Sequence, residues 1–455
     1  MDAEELGGEW WLPGLQDTRV PGVLRISAVG RCELTLIGEL RDPWADTTPS
    51  APHPETGEVS VTRRGLRSNG YPRILGQVGL KEYTLEDCIS IASNRNLLGG
   101  LPSETIRAHQ TFRGVWFDEP EPCGDRLSVS MQWLTHWVGL TGLEELHHFK
   151  ENRLQGFDLR IVDQPSRRVR LGDGYTLYLH YGFGIKGDRI LERTLHQEAT
   201  FEIRSTTLQP VLSMMRKAAD LQALVSMGTG RTAGFTALCL NHPSLLEGPP
   251  PAPRKYRRPI AYIAEWSAQD TGDTPLAIQD LIFSLQDMGG PSALPRWLAA
   301  ATKYTEPLAR TMATRYSRMF VQEKLFGTVS ALEAFHKIRT NAPRAQFVSC
   351  LTGCMTLAKP PFQELVADTG DWLRQIKVER NLIAHGSLGM ARAEHTVHLA
   401  DSAYWLFVLC MLREMEAPTK VFEAIPRSRT FQWTRAQLTL NPLTEPPEHV
   451  DPRPL

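Results

Sequence analysis

Two different hydrophobic patterns divide the chain. From about residue 10 to residue 203, apolar residues come in short runs separated by Gly, Pro, Asn and Asp, which is typical of β-strands joined by turns. The stretch VLRISAVGRCELTLIGEL at 23–40 alternates in two halves around Gly30, so we expect a β-hairpin there. From about Pro307 onward, apolar residues recur at helical spacing over long stretches. The pattern predicts an α+β multidomain protein, with an N-terminal β-rich domain followed by a C-terminal all-α bundle.

Domain boundaries are placed where the pattern changes. We predict a β-rich domain at 1–205, a middle segment at 206–300 and a helical domain at 301–455. The middle segment turns helical around 207–240 and then carries the proline-rich basic stretch GPPPAPRKYRRP, which is typical of an exposed loop. The chain after about residue 417 is expected to be a short proline-containing tail. A length of 455 residues fits two or three domains better than one core.

Composition narrows the function classes. The chain has 50 Lys and Arg against 51 Asp and Glu, so any nucleic-acid contact must be concentrated in a local patch. The 7 cysteines contain no CxxC pair, which argues against a disulfide scaffold and a zinc ribbon. Cys350 and Cys354 are interpreted as two buried thiols on one helix face. We therefore expect a cytoplasmic protein without a metal or cofactor.

No membrane segment is predicted. The N-terminal stretch MDAEELGGEW is acidic and has no apolar core of a signal peptide. The longest apolar run, AYWLFVLCML at 403–412, is about half the length needed to cross a bilayer.

A glycine motif offers one candidate binding site. The stretch GFGIKG at 182–187 matches GxGxxG and follows a strand-like run. A dinucleotide site needs a helix directly after these glycines, because the pyrophosphate binds at the helix N-terminus. The following residues, DRILERTLHQEATFEIRS, show no such helix. We interpret the motif as turn glycines in a β domain, with a nucleotide site as the alternative.

A basic group in the middle segment offers a second candidate. Arg254, Lys255, Arg257 and Arg258 surround Tyr256. Cations beside an aromatic ring could hold a phosphate backbone and stack a base, which would make this group an RNA-binding site. A charged loop that is only solvated is the alternative.

The third candidate is VERNLIAHG at 378–386, in which Asn381 follows Arg380 and Gly386 follows His385. Arg and His with four to six residues between them also occur at Arg392 with His398 and at Arg189 with His196, so the spacing alone proves nothing. The asparagine and the helix-ending glycine set this stretch apart.

These residue types suit metal-free RNA cleavage. Such cleavage needs a base for the ribose 2′-OH, an acid for the leaving oxygen and a cation for the charge on the phosphate. Histidine titrates near neutrality, and arginine stays charged and can grip a phosphate with two N–H groups. Residues five apart on an ideal helix point about 140° away from each other. A distorted helix end, or a second copy of the chain, is therefore needed to bring Arg380 and His385 to one phosphate.

A structural interpretation of the same stretch remains open. Arg380 could pair with a carboxylate such as Glu379 or Asp371, and His385 could interact with the last carbonyls of the helix. Lys377, one turn before Arg380, is a further candidate for contacting RNA.

The stretch RNLIAHG resembles the RNase motif R-x(4–6)-H of HEPN domains, which are helical bundles. The N-terminal stretches GEWWLPG, VPGVLRISAVGRCELTLIGEL, YPRILGQVGLKEYTLEDC and RLSVSMQWLTHWVGLTG resemble the N-terminal domain of the ApeA anti-phage family, in which a HEPN domain follows. The resemblance covers most of residues 8–205 and, for HEPN, about 307–416. It implies a phage-responsive ribonuclease that halts translation, with tRNA as a plausible target and a phage-derived trigger.

The resemblance also implies residue roles. Arg380 and His385 carry over as catalytic residues, Asn381 as a group that positions the substrate, and a homodimer as the form that completes the cleft. The second hypothesis is a non-catalytic HEPN protein, in which the bundle dimerises or binds a nucleotide and the β-rich domain recognises a phage component. The substitution His385→Ala separates the two, because only the enzyme loses cleavage.

Overall fold

The protein is described from a computed structural model that covers residues 3–41, 47–49, 61–63, 70–94, 101–247, 256–265, 275–384 and 393–440. The strands are β1 Glu4–Trp11, β2 Val20–Ile26, β3 Cys32–Ile37, β4 Thr47–Pro49, β5 Val61–Arg63, β6 Gly70–Val78, β7 Lys81–Asn94, β8 Ser103–Ala108, β9 Gln110–Arg113, β10 Cys123–Met131, β11 Leu143–Lys150, β12 Arg153–Ile161, β13 Arg167–Gly172, β14 Tyr175–Lys186, β15 Thr194–Pro210, β16 Phe235–Asn241, β17 Leu246–Glu247, β18 Tyr256–Arg257 and β19 Ile260–Ala264. The helices are α1 Leu134–Val138, α2 Val211–Thr229, α3 Leu294–Lys303, α4 Thr305–Tyr316, α5 Val321–Thr340, α6 Phe347–Leu357, α7 Pro361–Leu365, α8 Thr369–Ala384, α9 Ala393–Glu414, α10 Thr419–Ala424 and α11 Arg429–Leu440.

The chain divides into two compact units. The first, called unit 1, comprises residues 1–127, 208–211 and 236–267. The second, called unit 2, comprises residues 128–207, 212–235 and 268–455. The β-rich N-terminal region and the C-terminal helices confirm the predicted α+β class. The domain boundaries at 205 and 300 stay predictions.

Unit 1 is built around a closed ring of antiparallel strands. The ring runs β1–β2–β3–β8–β7–β6 and returns to β1. Alternate side chains of these strands fill its interior, which contains Trp10, Leu24, Leu34 and Tyr83. The ring includes the predicted hairpin, because β2 pairs with β3 and Gly30 has a φ of +84° in the turn between them.

A glycine on β6 makes room for the largest side chain of this core. A Cβ atom at Gly76 would lie 2.1 Å from the indole ring of Trp10. Burying a large apolar side chain stabilises a fold by about 1.5–3 kcal/mol, so this position favours glycine despite its entropic cost in a strand.

Unit 2 contains a strand region and a helical bundle. The glycine motif at 182–187 lies at the end of β14 and in the turn before β15, which pairs antiparallel with β14. The residues between Gly187 and β15 form no helix. The prediction of turn glycines in a β domain is confirmed for Gly187, which has a φ of +89°, whereas Gly182 and Gly184 lie within strand β14.

Helix α9 is the centre of the bundle. Every residue from Ala403 to Leu412 is buried, because α3, α5, α6, α7 and α11 pack around this helix. The long apolar run at 403–412 is therefore a core helix. In the part of the chain that the structure describes, no helix has the length and apolar character to cross a bilayer.

The prediction of a tail after about residue 417 was wrong, since α10 and α11 occupy 419–440. Pro418 precedes α10, and the proline-containing turn at 425–427 separates α10 from α11. Pro418 is the N-cap residue of α10, and Pro426 lies at the start of the one-turn 3₁₀ helix at 425–427, positions at which helices tolerate proline. Phe422, Ile425 and Phe431 are buried, which anchors this segment to the bundle.

Candidate functional site

The candidate site is carried by α8, and one face of this helix is fixed in the bundle. Its buried residues, Trp372, Gln375, Ile376 and Glu379, recur at intervals of three or four and form one stripe. The Trp372 indole donates a 2.8 Å hydrogen bond to Ser402 Oγ of α9. The stripe therefore holds α8 in one orientation.

The polar side chains of VERNLIAHG follow the edge of that stripe. Lys377 and Asn381 are exposed and one turn apart, and Arg380 is half-buried beside them. The fold thus gathers three of the predicted site residues on one side of α8.

The guanidinium group of Arg380 lies over an aromatic ring. Its Cζ is 5.1 Å from the ring centroid of Phe347, the first residue of α6. Nη1 of Arg380 is 3.5 Å from Oδ1 of Asn381, at the long limit of a hydrogen bond. A ring face attracts a cation without neutralising it, so Arg380 keeps its charge and N–H donors for an anion.

Arg380 makes no ion pair with any residue that the structure describes. Asp371 bonds instead to Arg374 at 2.8 Å, and Glu379 is fully buried in the inner stripe. The alternative in which Arg380 pairs with Asp371 or Glu379 is therefore not what the structure contains.

His385 and Gly386 lie outside the described residues, as does the segment up to 392. Helix α8 is described as far as Ala384, the residue directly before His385. The role of His385 stays a prediction.

The basic group at 254–258 has a different environment from that of Arg380. Arg257 bonds to Asp125, and Arg258 Nη2 lies 2.7 Å from Glu82 Oε2. Tyr256 is 67% exposed, and residues 254 and 255 lie outside the described ranges. Both described arginines of this group thus have carboxylate partners within unit 1.

Unit 2 contains a cavity of about 520 Å³ that α8 does not line. Arg231, Arg315 and Arg429 lie around it with Trp405 and Trp433. Arg315 bonds to Asp401 at 3.1 Å, and Arg429 bonds to Asp280 at 3.0 Å. Cationic and aromatic groups in one cavity are a suitable lining for a nucleotide.

A group of potential metal ligands lies in unit 1. The ligand atoms of Glu119, Cys123 and His242 are all within 4.8 Å of one another. Sequence spacing gave no signal for this group, because His242 is more than one hundred residues from the other two.

The comparison with known proteins identifies the family. Residues 5–297 match the family described as ApeA N-terminal domain 1, which is more than half of the chain. The chain belongs to this ApeA family. The family is associated with anti-phage defence. The match ends before α8, so it includes neither Arg380 nor His385. No curated protein and no solved structure matches the chain.

Sequence reasoning missed Phe347, which lies 33 positions before Arg380. A phenylalanine at the start of a helix usually signals packing, and only the contact between α6 and α8 shows its relation to the arginine.

Proposed function

We propose that this ApeA-family protein is a metal-independent endoribonuclease of the HEPN type that acts in anti-phage defence by cleaving tRNA or other cellular RNA. The observation that carries the proposal is the state of Arg380. Its guanidinium is stacked on Phe347 and has no carboxylate partner among the described residues, on a helix held by Trp372. A guanidinium group whose charge is not neutralised by a carboxylate is suited to bind a phosphate.

The proposed chemistry is 2′-OH attack. His385 accepts the proton of the ribose 2′-OH, and O2′ attacks the adjacent phosphorus. The bond from phosphorus to O5′ breaks, the leaving O5′ takes a proton from a water molecule, and His385 returns its proton to the solvent. The products carry a 2′,3′-cyclic phosphate and a 5′-OH. Arg380 stabilises the negative charge on the non-bridging oxygens during the attack.

The neighbours of Arg380 have supporting roles in this proposal. Asn381 supplies amide donors and an acceptor that position the ribose or phosphate. Lys377 is exposed and makes no ion pair with a described residue, so it adds positive potential along the same side of α8.

The direct test is cleavage of total tRNA by the purified full chain in EDTA, with and without a phage lysate. We expect His385→Ala and Arg380→Ala to abolish cleavage while the circular dichroism spectrum is unchanged. Arg374→Ala is the matched control, because Arg374 lies on the same helix but is paired with Asp371. Equal cleavage by wild type and both site variants would refute the proposal, as would a wild type that cleaves in neither condition.

The proposal includes a homodimer in which each copy contributes to the other's site. A mixture of Arg380→Ala and His385→Ala chains, unfolded and refolded together, then contains mixed dimers with one complete pair. We expect the mixture to regain cleavage that neither variant has alone. No regain would place Arg380 and His385 of one site in the same chain.

The cavity of unit 2 favours a second candidate function, a nucleotide-binding module without catalysis. Trp433 is 66% exposed at this cavity and would stack on a base. This candidate is tested by adding AMP to the wild type and to Trp433→Phe and measuring the tryptophan fluorescence of each. Saturable quenching that disappears in Arg315→Ala, in a chain that cleaves no RNA, would favour this candidate.

A further inference from the structure

We propose that Glu119, Cys123 and His242 of unit 1 bind one Zn²⁺ ion. This inference does not rest on the proposed ribonuclease activity. It revises the sequence-based expectation that the chain binds no metal.

The spacing of the ligand atoms fits a tetrahedral ion after a small adjustment. Zinc binds thiolate sulfur at about 2.3 Å and imidazole nitrogen at about 2.0 Å, so neighbouring ligands stand roughly 3.5 Å apart. Nε2 of His242 and Oε1 of Glu119 are already 3.5 Å apart. The Cys123 sulfur lies within 4.8 Å of both, so a shift of about 1 Å closes the site.

The backbone brings two of the ligands together. Cys123 opens β10 and His242 directly follows β16, and these strands are neighbours in the sheet. At Gly124 the strands approach so closely that a Cβ atom would lie 2.7 Å from the carbonyl oxygen of Asn241. Glycine at this position allows Cys123 and His242 to face each other.

The loop that carries Glu119 is held by an arginine. Nη1 of Arg73 donates to the carbonyl oxygens of Phe117 at 2.8 Å and of Glu119 at 2.6 Å. Nη2 of Arg73 donates to the carbonyl oxygen of Pro120 at 3.3 Å, and its Nε bonds to Glu86. The Glu119 main chain is thus fixed before any ion binds, which lowers the entropic cost of binding.

The histidine is positioned with one nitrogen facing the cluster. His242 is only 8% exposed, and its Nδ1 lies 2.6 Å from Ser244 Oγ. Nε2 is buried and makes no hydrogen bond with a described residue. The backbone N–H of Ser244 also donates to Nδ1, at 3.3 Å. Zinc binding therefore requires the other tautomer, in which Nδ1–H donates to Ser244 Oγ and the lone pair of Nε2 points towards the other two ligands, as in histidines bound to zinc.

The donor set selects the kind of metal. Sulfur and imidazole nitrogen favour zinc and disfavour Mg²⁺ and Ca²⁺, which prefer oxygen ligands. Three protein ligands leave a fourth position for water, which is the arrangement of catalytic rather than of structural zinc sites. The ion would lie where the start of β10, the end of β16 and the loop before β10 meet in unit 1.

The first experiment uses Co²⁺ as a spectroscopic replacement for zinc in the full chain. After treatment with a chelator and dialysis, we expect one Co²⁺ per chain and a thiolate-to-cobalt charge-transfer band, which Zn²⁺ then displaces. Cys123→Ser should lack the band. Cys239→Ser is the matched control, because Cys239 is also half-buried in unit 1 but lies outside the cluster.

A second variant, Ser244→Ala, keeps all three ligands, so it tests the site without removing a ligand from the core of unit 1. Ser244→Ala should weaken Co²⁺ binding by about 10- to 100-fold, because it removes the partner that orients His242. We also expect added Zn²⁺ to raise the unfolding temperature of the wild type but not of Cys123→Ser. No charge-transfer band in the wild type, a band retained by Cys123→Ser, or one lost in Cys239→Ser would overturn the proposal.

Discussion

The basic group at 254–258 and the basic residues of α8 look alike in sequence and differ in structure. Arg257 and Arg258 of unit 1 bond to Asp125 and Glu82. Arg380, on α8 of unit 2, has an aromatic ring as its neighbour and no ion pair among the described residues. The difference shows that the availability of a cation depends on what the fold places beside it. A paired arginine must lose its carboxylate before it can bind a phosphate, whereas a stacked arginine is ready.

The largest difference is expected when one arginine of each group is replaced by lysine. Arg380→Lys should reduce RNA cleavage by at least about 100-fold, because lysine keeps the charge but loses the two parallel N–H donors. Arg258→Lys should leave cleavage unchanged. Initial rates with one tRNA substrate measure both. A loss in Arg258→Lys that equals the loss in Arg380→Lys would remove the distinction between the groups.

Asp220 on α2 is a half-buried carboxyl group whose charged form the fold disfavours. Burial raises the pKa of Asp220 on α2 to about 7, and the nearby Lys217 opposes this only in part. Folded Asp220 therefore keeps its proton between about pH 4 and pH 7, where the unfolded chain has lost it. The contribution of Asp220 to the free energy of unfolding is therefore greatest near pH 4, falls as the pH rises and is constant above about pH 7.

Asp220→Asn should remove that loss of stability. We expect the variant to be more stable than the wild type at pH 8 by up to about 4 kcal/mol, with a smaller difference at pH 5. Chemical denaturation at the two pH values measures it. A difference between the proteins that does not change with pH would contradict the assignment.

Substitutions of Phe347 test whether its ring helps to hold the Arg380 guanidinium in place for cleavage. Phe347→Leu keeps an apolar side chain but removes the ring face, and a cation–π contact is worth about 0.5–1 kcal/mol at an exposed site. We expect cleavage to fall by about two- to fivefold. Phe347→Trp should retain cleavage because it preserves the ring. Equal rates for the leucine and tryptophan variants would mean that Phe347 only packs.

The smallest effect concerns Lys377. Lys377→Ala should weaken RNA binding a few-fold and reduce the slope of log affinity against log salt by about one, because one phosphate contact is lost. Arg374→Ala should change the slope less, since Arg374 is already paired with Asp371. Binding of a labelled tRNA at several salt concentrations gives both slopes. Identical slopes for the two variants would show that pairing does not decide which cations contact RNA.

Local patterns in the sequence predicted the regular elements well. The alternation around Gly30 gave the β2–β3 hairpin, and helical spacing gave the long C-terminal helices. These succeed because side-chain periodicity reflects which face of an element is buried. Helices α10 and α11 were missed because Pro418 and Pro426, which precede them, look like loop residues in a sequence.

Contacts between distant positions could not be predicted in the same way. The ring of Phe347 meets Arg380 only through the packing of α6 against α8, and the Glu119, Cys123 and His242 group depends on two neighbouring strands. The sequence also gave no sign that Arg257 and Arg258 have partners at 125 and 82. Residue type predicted the possible chemistry, and tertiary pairing decides which cations remain available for it.

The most direct test of the central claim is the chemistry of the RNA ends. The purified chain is treated with EDTA, checked for folding by circular dichroism, and incubated with a tRNA, and the new 3′ ends are analysed. Metal-independent cleavage through Arg380 and His385 predicts 2′,3′-cyclic phosphate ends, and no cleavage when the ribose before the cut is 2′-deoxy. New 3′-hydroxyl ends, or cleavage of the 2′-deoxy substrate, would contradict it.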